Sequence, residues 1–319
     1  MTPPLTWVIG AGGLLGSSVE RALARRGPVW RPEGSIPWNK SAAGSELADA
    51  AARFATTVDD RPWQIAWCAG AGVIATTADA LAEEVVVFDR VLTALSEKMW
   101  RGNAGRVFLA SSAGGLYAGS SGPPFTERTP VRPIAPYGDV KLRLERIAAD
   151  WTAVHGWPVV IGRISNLYGA GQDLSKPQGL ISQICRAHLL NQPISIYVPL
   201  DTVRDYIYAP DCGELVADVL ARLWVDVDGG HAPVQVKILA SQRGVTIGAL
   251  LGELRRIFKR SIKVVNGSSA TARVQARDLR FRSVVWPDLD RRTLTPLAAG
   301  IRATVDHLTL QLQVGSLQA

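Results

Sequence analysis

The chain has 319 residues, enough for one large domain or two closely joined ones around a substantial core. Hydrophobic residues at 47% and charged residues at 20% exclude a disordered chain, and no apolar run reaches the roughly 18 residues a bilayer span needs. A formal charge of +7 raises nucleic acid as a partner, but the basic residues are dispersed and Arg255-Arg256-Ile257-Phe258-Lys259-Arg260 reads as a solvated helix face; an anionic small substrate accounts for the excess equally well.

In chain order, Met1-Thr2-Pro3-Pro4 carries no basic leader region, so a cytoplasmic location is expected. Leu5-Thr6-Trp7-Val8-Ile9 is a short apolar run that ends in Gly10-Ala11-Gly12-Gly13-Leu14-Leu15-Gly16, and Ser17 to Ala24 has helical periodicity. Strand, glycine turn, helix is the arrangement in which backbone amides and a positive helix end hold a pyrophosphate. The spacing is GxxGxxG through Gly10, Gly13 and Gly16; in GxGxxG the last glycine would fall on Leu15. Val29-Trp30-Arg31 reads as the next strand. At its end Arg31 and Glu33 compete for the ribose edge of a dinucleotide, and Arg31 tilts the expectation towards NADP.

A helix through Glu46 to Phe54 leads to a buried strand at Gln64-Ile65-Ala66-Trp67-Cys68, and a helical segment near 79–98 leads to Arg106-Val107-Phe108-Leu109-Ala110. Ser111-Ser112 follows that strand, where the carboxyl ends of parallel strands form a ligand crevice and a hydroxyl can hold a substrate oxygen. The next helix, near 138–154, places Tyr137 and Lys141 on one face. A free phenol has a pKa near 10, and an ammonium about 5 Å away lowers it by roughly two units at an effective dielectric near 20. The pair can therefore supply a phenolate base. Pro158-Val159-Val160-Ile161-Gly162 is a further strand, and strands alternating with helices imply a doubly wound parallel α/β sheet. Beyond residue 168 the pattern loosens, although Val236-Lys237-Ile238-Leu239 reads as a strand returning to the main sheet. Cys68, Cys185 and Cys212 are too scattered for a disulfide framework or zinc site, and His155, His188, His231 and His307 lack ligand spacing, so no metal is expected.

With these pieces assembled, the chain resembles the extended short-chain dehydrogenase/reductases, the NAD-dependent epimerase/dehydratase group that modifies nucleotide sugars. The glycine loop and the Tyr137/Lys141 pair carry the resemblance, with Cys68-Ala69-Gly70-Ala71, Ser111-Ser112-Ala113 and Phe125-Thr126-Glu127. So do Arg163-Ile164-Ser165-Asn166-Leu167-Tyr168-Gly169 and Arg204-Asp205-Tyr206-Ile207-Tyr208-Ala209-Pro210-Asp211. It implies a Rossmann-type sheet over residues 1–168, with later strands returning near 203–240, and a mainly substrate-binding region over 169–319. It implies NAD or NADP as cofactor, held by Gly10, Gly13, Gly16, Arg31, Cys68, Ala69, Gly70, Tyr137 and Lys141. Tyr137 would be the catalytic acid or base, Lys141 would hold the nicotinamide ribose and lower the tyrosine pKa, and Ser112 would polarise the reacting oxygen. Ser111 and Ser112 would face the substrate, and Asn166, Arg204 and Arg277 would grip its diphosphate.

Two departures from the family pattern bear on the reaction. Ala113 and Gly114 stand where dehydrating relatives carry an acid pair, which disfavours a 4,6-dehydratase. The loop Gly114-Gly115-Leu116-Tyr117-Ala118-Gly119 is one or two residues longer than usual. A nucleotide-sugar epimerase is the leading expectation, an NADPH-dependent 4-keto-sugar reductase the second, and a non-enzymatic dinucleotide-sensing or scaffold protein an alternative of another class. The helices near 79–98 and 138–154 occupy the places where the family forms a four-helix dimer interface, and the apolar stripe of Leu81, Val85, Phe88, Leu92 and Leu95 on the first fits it, although an intramolecular core face explains the same spacing; the resemblance thus implies a homodimer. Neither membrane nor nucleic acid is expected as a partner.

Overall fold

The computed structural model describes residues 2–34, 36–38, 42–70, 78–99, 102–175, 178–228, 233–267 and 276–316. Its first half runs β1 (Leu5–Ile9), α1 (Leu14–Ala24), β2 (Val29–Trp30), α2 (Ala43–Val58), β3 (Trp63–Trp67), α3 (Ala78–Lys98), β4 (Gly105–Ser112), α4 (Ala113–Tyr117), α5 (Pro136–His155) and β5 (Val159–Ile164). The chain continues through β6 (Asn166–Tyr168), α6 (Leu180–Leu189), β7 (Ile194–Ile196), β8 (Val203–Tyr208), α7 (Ala209–Asp228), β9 (Val234–Leu239) and β10 (Gly244–Thr246). It ends with α8 (Ile247–Phe258), β11 (Val264–Asn266), β12 (Asp278–Leu279) and α9 (Leu297–Gln313).

Six strands pair in parallel in the order β2-β1-β3-β4-β5-β9. Successive side chains on a strand face opposite ways, and both faces of this sheet are covered, so its strands are mainly apolar on both faces. Leu5, Trp7 and Ile9 of β1, Trp63, Ile65 and Trp67 of β3, Val107 and Leu109 of β4, and Val159 and Ile161 of β5 pack on α2, α3 and α5. The residues between them, Val8, Ala66, Phe108 and Val160, pack on α1 and α7. At about 1.5–3 kcal/mol for each large apolar side chain removed from water, these two layers dominate the stability.

The chain leaves β1 towards β2 on one side and reaches β3 on the other. That reversal of strand order opens a crevice at the carboxyl ends of β1 and β3, where this class of fold binds ligands. In the order 3-2-1-4-5-6 a further strand lies outside the second. Here, among the described residues, the two-residue β2 is the edge, and α2 crosses directly to β3.

The segment at 236–239 returns to the main sheet as part of β9, beside β5. By contrast β8, within 203–240, joins no strand of that sheet. It pairs with β10, β12 and β6 in a separate small sheet, so residues 166–168 also belong there. A third apolar cluster, with Ile184, Cys185, Ile196, Leu250, Leu254 and Ile301, fills this C-terminal part beneath α6, α8 and α9.

α5 begins with Pro136 in its first turn, where a missing N–H costs nothing, and ends at Gly156, whose φ of +81° permits the left-handed stop. The expected loop at 114–119 is helical over 113–117. Ser112 caps that helix by accepting the Gly115 amide at 3.1 Å, and Leu116 and Tyr117 anchor it in the interior. On α3, Leu81, Val85, Phe88, Leu92 and Leu95 are all buried within the chain. The stripe is thus spent on the internal core, and the outward faces of α3 and α5 present Glu83, Val86, Asp89, Arg90, Asp139, Arg143 and Arg146. Among the described residues no helix is long and apolar enough to cross a membrane.

Candidate active site

Gly10 ends β1 with φ +89°, and a Cβ built on it would lie 2.7 Å from the amide nitrogen of Ala69 and 2.8 Å from its Cα. β1 and the segment behind β3 therefore touch backbone to backbone, and the Cys68 amide donates to the Ile9 carbonyl at 2.9 Å. The Gly13 amide donates back to Gly10 at 3.0 Å and Gly13 begins α1, while a Cβ at Gly16 would overlap the Gly10 carbonyl. Each glycine of GxxGxxG thus has a steric or capping reason. The cradle is backbone at a helix N-terminus, which suits a dinucleotide pyrophosphate. Arg31 does stand at the end of β2, but its exposed guanidinium forks onto Glu20 of α1 at 2.9 Å through both nitrogens.

Across the crevice, α4 and α5 approach through glycine. A Cβ on Gly115 would lie 3.0 Å from the Tyr137 ring, and one on Gly138 would overlap the Gly115 carbonyl. The turn that Ser112 caps therefore rests on Tyr137. Half-buried, both side chains sit at the carboxyl end of β4. Ala113 faces the apolar cluster of Tyr117, Phe125, Leu279 and Phe281, and Gly114 has no side chain, so no carboxylate directly follows Ser112.

Ser111 needs correction as a substrate-facing residue. One residue from Ser112 on a strand, it points to the opposite face, where its buried hydroxyl donates to Glu145 Oε1 at 2.6 Å. Glu145 also takes a forked guanidinium from Arg163 of β5 (3.1 and 2.7 Å), and Arg163 donates to the Tyr117 hydroxyl at 2.6 Å. Burial opposes the Arg163 charge, but Glu145 and the Tyr117 oxygen outweigh it and raise the arginine pKa. The guanidinium therefore stays ionised inside the protein.

Lys141, one turn above Glu145, carries its ammonium 5.7 Å from the Tyr137 ring centroid. It is also buried against Glu84 of α3, with Nζ 2.6 Å from Oε1. Gly70 closes over both: a Cβ there would stand 3.1 Å from Glu84 Oε1 and 3.2 Å from Lys141 Nζ. Burial disfavours the Lys141 charge, yet Tyr137 and Glu84 together raise its pKa. Glu84, Glu145 and Arg163 had no assigned role in the sequence. The available signal was a charged side chain among apolar ones on a helix's inner face, Glu84 between Leu81 and Phe88 and Glu145 beside Leu144 and Ala148.

The small sheet gathers the diphosphate candidates. Asn166 lies on β6 opposite Tyr206 of β8 and donates to the Asp205 carbonyl at 2.9 Å. Arg204, on β8, is buried; among the described residues it forms no ion pair, and its Nη1 donates to the Val203 carbonyl at 2.9 Å. Burial lowers its pKa. Arg277 precedes β12, which pairs with β8 at Arg204, but its own side chain is exposed and bonded to Asp201. Glu127 ties the segment after α4 to the C-terminal part, accepting from the Ile238 amide (2.8 Å), the Ser283 hydroxyl (2.6 Å) and the Val284 amide (2.8 Å). Ala71 and His231 lie outside the described residues.

The model of the NAD dependent epimerase/dehydratase family matches residues 6–231. A putative UDP-glucose 4-epimerase of Methanocaldococcus jannaschii is 30% identical over 128 residues, 40% of this chain and 41% of that protein, so the chain matches about two fifths of that relative's length. The crystal structure of Thermus thermophilus UDP-glucose 4-epimerase in complex with NAD superposes with a TM-score of 0.76 at 21% identity, over 96% of this chain and 99% of that one. The Pseudomonas aeruginosa protein RMD complexed with NADPH gives 0.77 at 18% identity, over 97% and 99%. At these identities the structural likeness establishes the fold.

Proposed function

The chain belongs to the NAD-dependent epimerase/dehydratase family, and from that premise we propose that it catalyses NAD(P)-dependent oxidoreduction at a secondary alcohol or ketone of a nucleotide sugar, with epimerisation, most simply at C4, as the leading reaction. The observation that carries this reading is the seat of the Ser112 turn on Tyr137, which brings a hydroxyl and a phenol to one crevice beside the glycine cradle. Ser112 orients the reacting oxygen. Tyr137 takes the proton from the alcohol, or returns it to the ketone, and Lys141 holds its ammonium 5.7 Å from the Tyr137 ring centroid. Gly10, Gly13 and Gly16 hold the dinucleotide pyrophosphate, and Cys68, Ala69 and Gly70 form the opposite wall. When bound, the nicotinamide nucleotide supplies or accepts the hydride.

Support for an anionic substrate comes from Arg204. Among the described residues this buried guanidinium forms no ion pair, the charge of Asp278 only partly offsetting its burial, and a buried cation is costly unless an anion completes it; a nucleoside diphosphate is such an anion. Asn166 stands on β6 and Arg277 directly precedes β12, both strands that pair with β8. Elimination chemistry would need an acid and a base near the sugar C5 and C6, and neither Ala113 nor Gly114 supplies one. Ketoreduction with NADPH uses the same groups in one direction. Its support is the resemblance in fold to a chain complexed with NADPH, while the salt bridge of Arg31 to Glu20 gives Arg31 a competing partner at the ribose edge.

Purified protein incubated with UDP-, dTDP- and GDP-sugars should interconvert epimers with no net change at 340 nm; oxidation of NADPH with a keto-sugar identifies the reductase instead. Tyr137→Phe should lower turnover by about 10²–10⁴-fold, the contribution typical of a positioned acid or base. Full activity in that variant would remove Tyr137 from the reaction.

A further inference from the structure

Two of the side chains assigned to the substrate diphosphate meet at one residue. Arg204 precedes Asp205 on β8, and Asn166 of β6 donates through Nδ2 to the Asp205 carbonyl at 2.9 Å. The Asp205 side chain leaves β8 on the face opposite Arg204 and is fully buried. There its Oδ1 accepts from the Ser165 hydroxyl at 2.9 Å, the Ser241 amide at 2.9 Å and the Ser241 hydroxyl at 3.0 Å. Ser165 still belongs to the main sheet, since its amide donates to the Leu239 carbonyl of β9 at 3.0 Å, whereas the next residue, Asn166, pairs with Tyr206 in the small sheet. Ser241 follows β9. One carboxylate thus bridges the place where the chain passes from one sheet to the other.

The connection runs on to the reacting end of the crevice. Ser112 of β4 is in register with Ile164 of β5, the residue before Ser165. Ser112, Ile164, Ser165, Asp205 and Arg204 therefore form a continuous path from the hydroxyl assigned to the reacting oxygen to the guanidinium assigned to the diphosphate. We propose that Asp205 is a positioning residue of the substrate site: its carboxylate and its carbonyl together hold Arg204 and Asn166 in one relation to each other and at a fixed span from Ser112. Its meaning for binding rests on the nucleotide-sugar reading, but the tether exists in the free protein. The span matters because a bound group displaced by about 1 Å forfeits much of a hydrogen bond and of the alignment it provides. An amide at position 205 keeps an oxygen acceptor for Ser165 and Ser241. A methyl keeps none, and it leaves their donors unsatisfied in the interior.

The test is calorimetric titration of the ligand-free full chain with UDP, dTDP and GDP, and separately with NADH. Asp205→Ala should weaken whichever nucleoside diphosphate binds the parent by about tenfold to a hundredfold, the loss of one charge-assisted hydrogen bond. NADH affinity should stay within about threefold, because the glycine cradle is built from β1, α1 and the segment behind β3. Asp205→Asn should bring the diphosphate affinity back to within about threefold of the parent. A residue that merely braced the fold would weaken both ligands together. Parent-like diphosphate binding in Asp205→Ala, a parallel loss of NADH binding, or an Asp205→Asn protein no better than Asp205→Ala overturns the role. If Asp205→Ala does not fold, Ser165→Ala cuts the tether from its other end, and an unchanged diphosphate affinity there is the overturning result. A parent that binds none of the three nucleotides removes the diphosphate reading instead. Amide hydrogen exchange then decides on Asp205: protection over 166–168 and 204–208 should fall in the variant while that of β1 and β3 stays, and unchanged protection overturns the tether.

Discussion

Gly10→Ala tests the cofactor crevice at its tightest point. The new methyl would stand 2.7 Å from the Ala69 nitrogen and 2.8 Å from its Cα, where carbon contacts settle nearer about 3.5 Å. β1 and the segment behind β3 would have to part by roughly 0.7 Å, at an overpacking cost of about 1–3 kcal/mol. The backbone adds to this. Gly10 has φ +89°, and a side chain in the left-handed region costs about 1–2 kcal/mol. The total, about 2–5 kcal/mol, corresponds to a melting shift of roughly 3–7 °C for a chain of this length at the usual unfolding entropy per residue. The same separation moves the loop amides away from the pyrophosphate, and losing one charge-assisted hydrogen bond worth about 1.5–3 kcal/mol weakens NADH binding about tenfold to a hundredfold. Thermal melts and nicotinamide fluorescence titration read both effects. Gly12→Ala is the control, since its Cβ meets nothing within 4 Å, and its melting temperature should stay within about 1 °C of the parent. A Gly10→Ala protein that melts and binds NADH as the parent does would refute the close approach and the cradle together.

Glu145→Ala leaves the Arg163 guanidinium buried without its carboxylate, which should cost about 3–5 kcal/mol in urea unfolding, whereas Glu145→Leu combined with Arg163→Met should recover at least half of that; a single-variant loss below about 1 kcal/mol would contradict the network. Asp205 gives a pH dependence. Burial raises its pKa, against hydrogen bonds from the Ser241 amide and the Ser165 and Ser241 hydroxyls. A folded-state pKa above the unfolded one means a contribution fully present below the ordinary carboxylate range and lost as pH rises through the raised value. Asp205→Asn should therefore gain stability relative to the parent as pH climbs from about 4 to 7, and a flat difference across that range would show that the buried carboxylate carries no such cost.

What was legible in the sequence was local. Short apolar runs marked β1, β3, β4 and β5, a glycine turn marked the crevice, and four-residue spacing put Tyr137 over Lys141. What was not legible depended on partners distant in the chain. Val203-Arg204-Asp205-Tyr206-Ile207-Tyr208 reads as one more buried strand, and nothing in it says that β8 pairs with β10, β12 and β6 outside the main sheet. Gly114-Gly115 argues against a helix by propensity. α4 forms nevertheless, because Ser112 caps it and because glycine is what lets it lie against Gly138 and Tyr137. Ser111 and Ser112 were separable in principle, since strand alternation alone sends them to opposite faces once β4 is extended to include them.

These tertiary effects converge on α5. Tyr137, Lys141 and Glu145 follow one another at four-residue steps, so a phenol, an ammonium and a carboxylate share one stripe. The two ions are buried, and each is answered from a different element: Lys141 by Glu84 of α3, Glu145 by Arg163 of β5 and Ser111 of β4. A rotation of the helix by one residue would break both ion pairs and leave four charges in an apolar interior, at several kcal/mol for each uncompensated pair. A purely apolar stripe would tolerate that slip far better, because Leu144, Ala148 and Trp151 could repack against neighbours of similar size. The buried ions thus fix the rotation of α5 about its axis. Because Tyr137 lies in the first turn of the same helix, they fix the direction in which its hydroxyl faces the crevice as well.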